Sequence, residues 1–127
     1  MALTILLADG SAVMRSMLIR TLQLSGLPIH TVHQAGTAGD ALATIQRQAT
    51  DVALIDLDLP DMDGAALVDA IRDQGLGANL PCVVIAADRS DARMARAVER
   101  GAGWIQKPFT PEQVRAAVLK VVGVRAA

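Results

Sequence analysis

Acidic residues cluster where one short apolar segment of this sequence ends. Residues 51–64 read D-V-A-L-I-D-L-D-L-P-D-M-D-G. A short apolar run that leads into Asp, Pro and Gly is typical of a buried strand that runs out into a loop. Asp56 is therefore expected at the carboxyl end of a strand, where open α/β sheets place their ligand sites. On this stretch alone, Asp56 is either a reactive or metal-binding carboxylate or an Asp that caps a turn.

Two further charged residues stand at the ends of other apolar segments. Asp9 ends the first apolar run of the chain, and Lys107 follows the last short one. If these segments are neighbouring parallel strands, Asp9, Asp56 and Lys107 meet in one crevice, and Asp58 and Asp88 lie nearby. Clustered carboxylates resist simultaneous ionisation unless a cation relieves them. A hard ion such as Mg²⁺ suits such a site, and a lysine beside it supplies a positive charge for a phosphoryl group.

Five apolar segments alternate with five segments of helical periodicity. The predicted strands are Leu3–Ala8, Ile29–Ala35, Val52–Ile55 with Asp56 at its end, Cys82–Ala86 and Gly103–Ile105. The first predicted helix follows Ser11 and the fifth follows Thr110. The three between them span Ala38 to about Gln48, Ala65–Asp73 and Asp91–Arg100. Residues 74–80, with Gly75, Gly77 and Asn79, form a predicted loop. Strict alternation favours a parallel sheet covered on both faces. Right-handed crossovers then favour a doubly wound, flavodoxin-like α/β fold with strand order 2-1-3-4-5.

Short polar residues and glycines mark the predicted helix ends. The predicted N-caps are Ser11, Gly36-Thr37 and Ser90, Thr110 forms a capping box with Gln113, and Gly26, Gly101 and Gly123 are the stops. Helical spacing predicts three inward stripes: Met14, Met17, Leu18, Thr21, Leu22 and Ser25 on the first helix, Met94, Ala95 and Val98 on the fourth, and Val114, Ala117, Val118, Val121 and Val122 on the fifth.

Composition narrows the classes of protein to consider. The 127 residues carry a net charge of −1 and are 52% hydrophobic, so one globular domain over residues 1–127 is expected. With no Tyr, one Phe, one Trp and no basic excess, direct nucleic-acid binding is not expected. No apolar stretch approaches the roughly 20 residues of a membrane span, so a cytoplasmic protein without membrane insertion is expected. The single cysteine, Cys82, lies in an apolar run and is expected to be a buried, inert thiol.

Three motifs carry a resemblance to a known family. They are I-L-L-A-D-G-S-A-V-M-R-S-M-L over residues 5–18, L-I-D-L-D-L-P-D-M-D-G over residues 54–64, and G-A-G-W-I-Q-K-P-F over residues 101–109. Together they resemble the receiver domain of bacterial response regulators, and among these the single-domain chemotaxis type. The resemblance covers nearly the whole chain.

The resemblance implies specific roles for six residues. Asp56 would be the phospho-acceptor, which takes a phosphoryl group from a histidine kinase or phosphotransfer protein, and Lys107 would contact the phosphoryl oxygens. Mg²⁺ would be held by Asp9, Asp56 and the backbone carbonyl of Asp58, whose carboxylate is a further candidate ligand. The Lys107–Pro108 peptide would be cis. Trp104 falls where the family carries a rotating aromatic switch.

The sequence departs from the family pattern at two positions. Gly10 stands where a second acid that contacts Mg²⁺ is usual, so magnesium affinity is expected to fall by about 1–3 kcal/mol. Ala86 stands where the family has Ser or Thr, whose hydroxyl binds the phosphoryl group. Without this hydroxyl, phosphorylation is not expected to drive rotation of Trp104 in the usual way. The alternative to a rotating switch is a fixed, partly buried Trp104 that packs on the fourth helix. Ser90 lies too far along the chain to replace the hydroxyl.

Three functions follow as alternatives. The first is a phosphorylated receiver, not an enzyme beyond its own phosphotransfer and autodephosphorylation, that signals through the fourth helix, fifth strand and fifth helix. The second is an atypical receiver that binds its partner through this face whatever its phosphorylation state. The third is a small Mg²⁺-dependent phosphohydrolase. An unknown output protein and a homodimer through the fourth and fifth helices are the expected partners, and no DNA-binding domain is expected after Val122.

Overall fold

The computed structural model describes residues 2–75 and 79–126. Within these residues the strands are β1 (Leu3–Ala8), β2 (Ile29–Ala35), β3 (Val52–Asp56), β4 (Cys82–Ala86) and β5 (Gly103–Gln106). The helices are α1 (Ala12–Leu24), α2 (Ala38–Arg47), α3 (Gly64–Asp73), α4 (Ala92–Glu99) and α5 (Pro111–Ala126). All neighbouring strands pair in parallel, in the order β2-β1-β3-β4-β5. The predicted fold class and strand order are confirmed; Gly77 of the predicted loop lies outside the described residues.

Two hydrophobic clusters cover the two faces of the sheet. One packs the strands against α2, α3 and α4, and the other packs them against α1 and α5. The adjacent residues Leu54 and Ile55 of β3 are both fully buried, one in each cluster. Burial of a side chain of this size contributes about 1.5–3 kcal/mol. The strand that carries Asp56 is therefore anchored from both sides.

The caps of α1, α2 and α5 agree with the prediction, but the cap of α4 does not. Asp91, not Ser90, caps α4, since its side chain accepts a hydrogen bond from the Arg93 amide. Ser90 instead donates its amide and hydroxyl to Asp88, at 2.9 Å and 2.7 Å. A carboxylate is favoured here because the helix N-terminus carries partial positive charge. On α3, Asp63 is the N-cap and the helix begins one residue earlier than predicted.

The prediction that Gly123 ends the last helix is wrong, since α5 continues to Ala126. Gly26 and Gly101 do end helices, with φ of 81° and 91°. Gly123 has no positive φ, and a Cβ at this position would contact nothing within 4 Å. A glycine inside a helix costs only about 1 kcal/mol relative to Ala, which a long helix tolerates.

The predicted inward stripes are partly wrong on α1 and α4. On α1, Leu18 and Leu22 are buried, but Met17 is 56% exposed. On α4 the buried residues are Met94 and Ala97, whereas Ala95 and Val98 are exposed. The apolar surface of α4 is too thin for the sequence to determine how the helix is rotated. On α5 the prediction is confirmed at Val114 and Val118, which are fully buried.

Candidate functional site

The strand register brings three of the predicted site residues together. Ala8 pairs with Ile55 across β1 and β3, so Asp9 and Asp56 leave the same edge of the sheet side by side. The Lys107 amide donates to the carbonyl of Ala86 at 2.8 Å, which fixes the chain just after β5 beside the end of β4. The Lys107–Pro108 peptide is cis, as the family resemblance implies.

Asp56 is buried and bonded on both carboxylate oxygens. Only 4% of the residue is exposed. The Lys107 ammonium lies 2.6 Å from Oδ2, and the backbone amide of Asp58 donates to Oδ1 at 2.8 Å. A charge-assisted contact this short holds both side chains in place. Asp56 is thus a preorganised anion next to one cation.

Asp9 is the electrostatically strained member of the site. Its Oδ1 accepts a hydrogen bond from the Ser11 amide at 2.8 Å, but its buried Oδ2 has no partner among the described residues. Burial raises the pKa of Asp9, and the Asp56 carboxylate raises it further, both as an acceptor for a proton on Asp9 and by its charge. The Ser11 amide and the Lys107 ammonium act in the opposite direction. A cation bound at Oδ2 would offset the unfavourable free energy of burying this negative charge.

The site fits a divalent metal ion through two carboxylates, not three. Oδ2 of Asp9, which has no hydrogen-bond partner among the described residues, and the Asp56 carboxylate offer hard oxygen donors of the kind that a divalent cation prefers. The Asp58 carboxylate does not join it, because it pairs with Arg93 at 2.9 Å. Among the described residues, no three His, Cys, Asp or Glu side chains group as metal ligands. The backbone carbonyl of Asp58 stays the predicted third protein ligand, whereas the Asp58 side chain is paired with Arg93.

A side chain at Gly10 would contact the ring of Pro60. A Cβ at Gly10 would lie 3.2 Å from Cδ of Pro60. The Pro60 ring would have to move by a few tenths of an ångström to admit any side chain. Ala86, the other departure, is buried at the end of β4 with 3% exposed. Its methyl group supplies no hydroxyl to the site.

The loop between β3 and α3 is held in place by contacts at Asp61 and at Gly64. The Asp61 carboxylate accepts hydrogen bonds from the Ala38 and Gly39 amides at the start of α2, at 2.8 Å and 2.9 Å. These two bonds hold the pKa of Asp61 below its usual value. A Cβ at Gly64 would lie only 2.5 Å from the Asp56 carbonyl oxygen. Only glycine allows α3 to begin this close to the backbone of Asp56.

Sequence reasoning missed Arg93 as a residue of this site. The same cleft is lined by Asp9, Asp56, Lys107 and Arg93. The Arg93 guanidinium donates to the Asp58 carboxylate at 2.9 Å and to the Leu57 carbonyl at 3.3 Å. The Asp91 and Asp58 carboxylates raise the pKa of Arg93. Spacing along the chain gives no sign of a pair that joins residues 58 and 93.

Arg96 of α4 and Arg100, the C-cap of this helix, pair with acidic residues of α3. Arg96 lies 3.3 Å from a carboxylate oxygen of Asp69, and Arg100 lies 3.3 Å from Asp69 and 2.7 Å from Asp73. The partner surface predicted from the arginines of the fourth helix and the inner stripe of the fifth stays a prediction. Val114 of that stripe is fully buried.

A groove nevertheless exists on the side of α4, β5 and α5. It has a volume of about 1470 Å³, and Trp104, Val98 and Lys120 are among the residues that line it. Trp104 is 39% exposed, and the Arg89 guanidinium lies 5.0 Å from the centre of its ring. Trp104 is thus a surface residue held by a cation–π contact.

The family follows from comparison with known proteins. The model of the response regulator receiver domain matches residues 5–119. The chain belongs to this family. Members are signalling modules of two-component systems in which an aspartate takes a phosphoryl group from a histidine kinase, and they typically bind Mg²⁺.

Individual relatives agree with this assignment. The chain is 33% identical over 112 residues to the probable transcriptional regulatory protein TcrX of Mycobacterium tuberculosis, which covers 87% of this chain and 46% of TcrX. The chain thus spans about half the length of this curated relative. The chemotaxis protein CheY4 of Vibrio cholerae is 30% identical, with a TM-score of 0.82, over 95% of this chain and 99% of CheY4.

A more distant structure shares the fold. The receiver domain of the sensor histidine kinase PA1611 of Pseudomonas aeruginosa is 22% identical, with a TM-score of 0.82, over 97% of this chain and 99% of that one. It was solved with a magnesium ion coordinated in its active site cleft. In the part of this chain that the structure describes, no helix has both the length and the apolar character needed to cross a bilayer.

Proposed function

We propose that Asp56 accepts a phosphoryl group from a histidine kinase or phosphotransfer protein, and that residues 1–127 form one cytoplasmic receiver domain. The observation that carries this proposal is the Asp56 carboxylate, buried and 2.6 Å from the Lys107 ammonium. Beside it lies Oδ2 of Asp9, for which the described part of the chain supplies no hydrogen-bond partner. A phosphoryl group brings negative charge, and both features suit a site that receives charge together with a cation.

The transfer itself is a nucleophilic displacement. One oxygen of Asp56 forms a bond to phosphorus as the phosphorus–nitrogen bond of the donor breaks, and the electron pair leaves with the donor imidazole. The Lys107 ammonium, now 2.6 Å from Oδ2, would follow the negative charge onto the phosphoryl oxygens. The Asp58 amide, which donates to Oδ1, holds the carboxylate in one orientation. The same aspartyl phosphate is open to hydrolysis, which returns the domain to its resting state.

Mg²⁺ would be held by the carboxylates of Asp9 and Asp56 and the carbonyl of Asp58. Its chemistry would be to neutralise the charge that develops on the transferring group. We expect weaker binding than in relatives with a second acid, because Gly10 has no side-chain oxygen. The Asp58 carboxylate does not compensate, since Arg93 holds it at 2.9 Å. A hydroxyl contact is also missing at Ala86.

The groove beside Trp104 is the proposed output surface, for an unidentified protein or a second copy of the chain. Its lining combines apolar residues with the cations Arg89 and Lys120. A partner with an apolar residue flanked by acids would fit this chemistry. A phosphorylation-independent version of this binding is the second candidate function, and the missing hydroxyl at Ala86 favours it. The phosphohydrolase alternative has no further support: the cleft of about 690 Å³ is lined by the receiver residues themselves.

A mass measurement tests the proposal. The protein is incubated with phosphoramidate over a wide range of Mg²⁺ concentrations, and its intact mass is recorded. We expect the mass of one phosphoryl group to be added in the parent and in Asp40→Asn, which alters an exposed aspartate on α2, but not in Asp56→Asn. If no variant gains mass at any Mg²⁺ concentration, the phospho-acceptor proposal fails. If the phosphorylated parent and Asp56→Asn bind the output partner equally, binding is independent of phosphorylation and the second candidate function holds.

A further inference from the structure

Arg93 lies in the phosphorylation cleft but belongs to α4. It is the second residue of that helix, and its guanidinium reaches back over the β3–α3 loop. Nη1 donates to the Leu57 carbonyl at 3.3 Å and Nη2 to the Asp58 carboxylate at 2.9 Å. These two acceptors belong to the residues directly after Asp56. The cleft therefore has a second cation besides Lys107.

The two carboxylate partners of Arg93 hold it unequally. Asp91 lies in the same helical turn, accepts at 3.1 Å from Nε and at 2.8 Å from Nη2, and has a side chain 25% exposed. Asp58 is reached across 35 residues of chain, and its side chain is 68% exposed. An ion pair this exposed contributes little to stability. The Asp58 contact is the one that Arg93 can give up.

A phosphoryl group is a stronger partner for this guanidinium. It carries a charge of about −1.5 to −2 at neutral pH and three acceptor oxygens. Arginine binds such groups with paired N–H donors. Neither Gly10 nor Ala86 offers a polar side chain that could bind the phosphoryl group. Arg93 can therefore supply a positive charge at the rim of the cleft.

We propose that Arg93 is a phosphoryl-binding residue that exchanges the Asp58 carboxylate for oxygens of phosphorylated Asp56. The inference rests on the proposed function of Asp56 as phospho-acceptor. Asp91, the N-cap of α4, keeps its hold on Arg93 during the exchange. The first turn of α4 is therefore drawn toward the site when Asp56 is phosphorylated, which gives this chain a link to α4 that needs no hydroxyl at position 86.

The test compares rates of phosphorylation by phosphoramidate at saturating Mg²⁺, read by intact mass. We expect Arg93→Ala to be phosphorylated about tenfold more slowly than the parent, and Arg93→Lys to regain part of the loss because it restores a positive charge. Arg100→Ala is the matched control: this arginine, the C-cap of α4, is also paired with two aspartates and is similarly exposed. It should react within about twofold of the parent, well under the tenfold expected from a lost charge-assisted contact.

A double variant separates phosphoryl binding from a simple charge effect, because Arg93→Ala also frees the Asp58 carboxylate. The combination Asp58→Asn with Arg93→Ala should stay as slow as Arg93→Ala. Asp58→Asn alone should react at least as fast as the parent, because Arg93 is then released. If Asp58→Asn restores the rate of Arg93→Ala, the freed charge explains the loss and the proposal is overturned.

The Arg93 side chain also reports the exchange directly. Its Nε–H group, which donates to Asp91, should shift in the ¹⁵N–¹H spectrum on phosphorylation, together with the amides of the first turn of α4. Unchanged Arg93 and α4 resonances in a protein that has gained the phosphoryl mass would overturn this inference alone. A parent protein that gains no mass would overturn the phospho-acceptor proposal and this inference with it.

Discussion

Replacement of Asp9 by Asn should stabilise the metal-free protein. Asp9 Oδ2 is buried without a partner among the described residues, and an unsatisfied buried polar atom costs about 1–3 kcal/mol. Asn keeps an oxygen for the Ser11 amide and places an N–H₂ donor toward Asp56. We expect the free energy of unfolding to rise by about 1–2 kcal/mol, or roughly 3–8 °C in Tm for a domain of this size.

The stabilisation should depend on pH in one direction. Burial raises the pKa of Asp9, so ionised Asp9 is less stable in the fold than in the unfolded chain. Its unfavourable contribution is fully present above the folded pKa and disappears as the pH falls toward the unfolded value of 3.8. The advantage of Asp9→Asn should therefore be largest at neutral pH and shrink on acidification.

Mg²⁺ should reverse the ranking of the two proteins. A ligand that binds only the folded state stabilises it in proportion to RT ln(1 + [L]/Kd). The parent should gain stability with Mg²⁺ and Asp9→Asn should not. Thermal unfolding with EDTA and with Mg²⁺, at neutral pH and near pH 4, measures both effects, and Asp40→Asn controls for loss of a surface charge. The reasoning is refuted if metal-free Asp9→Asn is less stable than the parent at neutral pH.

Three further predictions concern the loops around the site. Gly64→Ala should lower the free energy of unfolding by about 1–3 kcal/mol in urea titrations, because its Cβ would lie 2.5 Å from the Asp56 carbonyl oxygen. Gly123→Ala is the control and should not destabilise the protein, because the space around Gly123 is open. Equal effects of the two substitutions would contradict the account. Asp61→Ala should lower the midpoint of urea unfolding at neutral pH. Since the pKa of Asp61 is depressed in the folded protein, the difference from the parent should vanish as the pH falls through that folded pKa. A difference that does not change with pH would argue against a stabilising role of the Asp61 carboxylate. Gly10→Asp combined with Ala86→Thr should tighten Mg²⁺ binding and make the fluorescence of Trp104 respond to phosphorylation; parent-like titrations would show that the two losses are not the cause.

The sequence predicts the fold and the centre of the site because both depend on local pattern. Continuous apolar runs are required by strands buried on two faces, and they are visible without a structure. Once the strands are parallel neighbours, their ends meet, so Asp9, Asp56 and Lys107 are brought together by topology alone. The 2.6 Å contact between Asp56 and Lys107 is the result.

The rim of the site could not be predicted, because it depends on how α4 is rotated. Met94 and Ala97 face inward on this short helix, and that rotation turns Arg93 toward Asp58 and Arg96 toward α3. The predicted stripe, which placed Ala95 and Val98 inward, would have turned the arginines elsewhere. The lack of a partner for Asp9 Oδ2 within residues 2–75 and 79–126 also results from tertiary packing, since it depends on what surrounds one buried atom.

The central claim is that Asp56 becomes an aspartyl phosphate, and locating the modified residue tests it most directly. The protein is treated with phosphoramidate and Mg²⁺, the acyl phosphate is reduced with borohydride to homoserine, and the altered residue is located by peptide mass spectrometry. The account predicts homoserine at position 56 in the parent and none in Asp56→Asn. Homoserine at another aspartate, or at no position across the full range of Mg²⁺ concentrations, would contradict it.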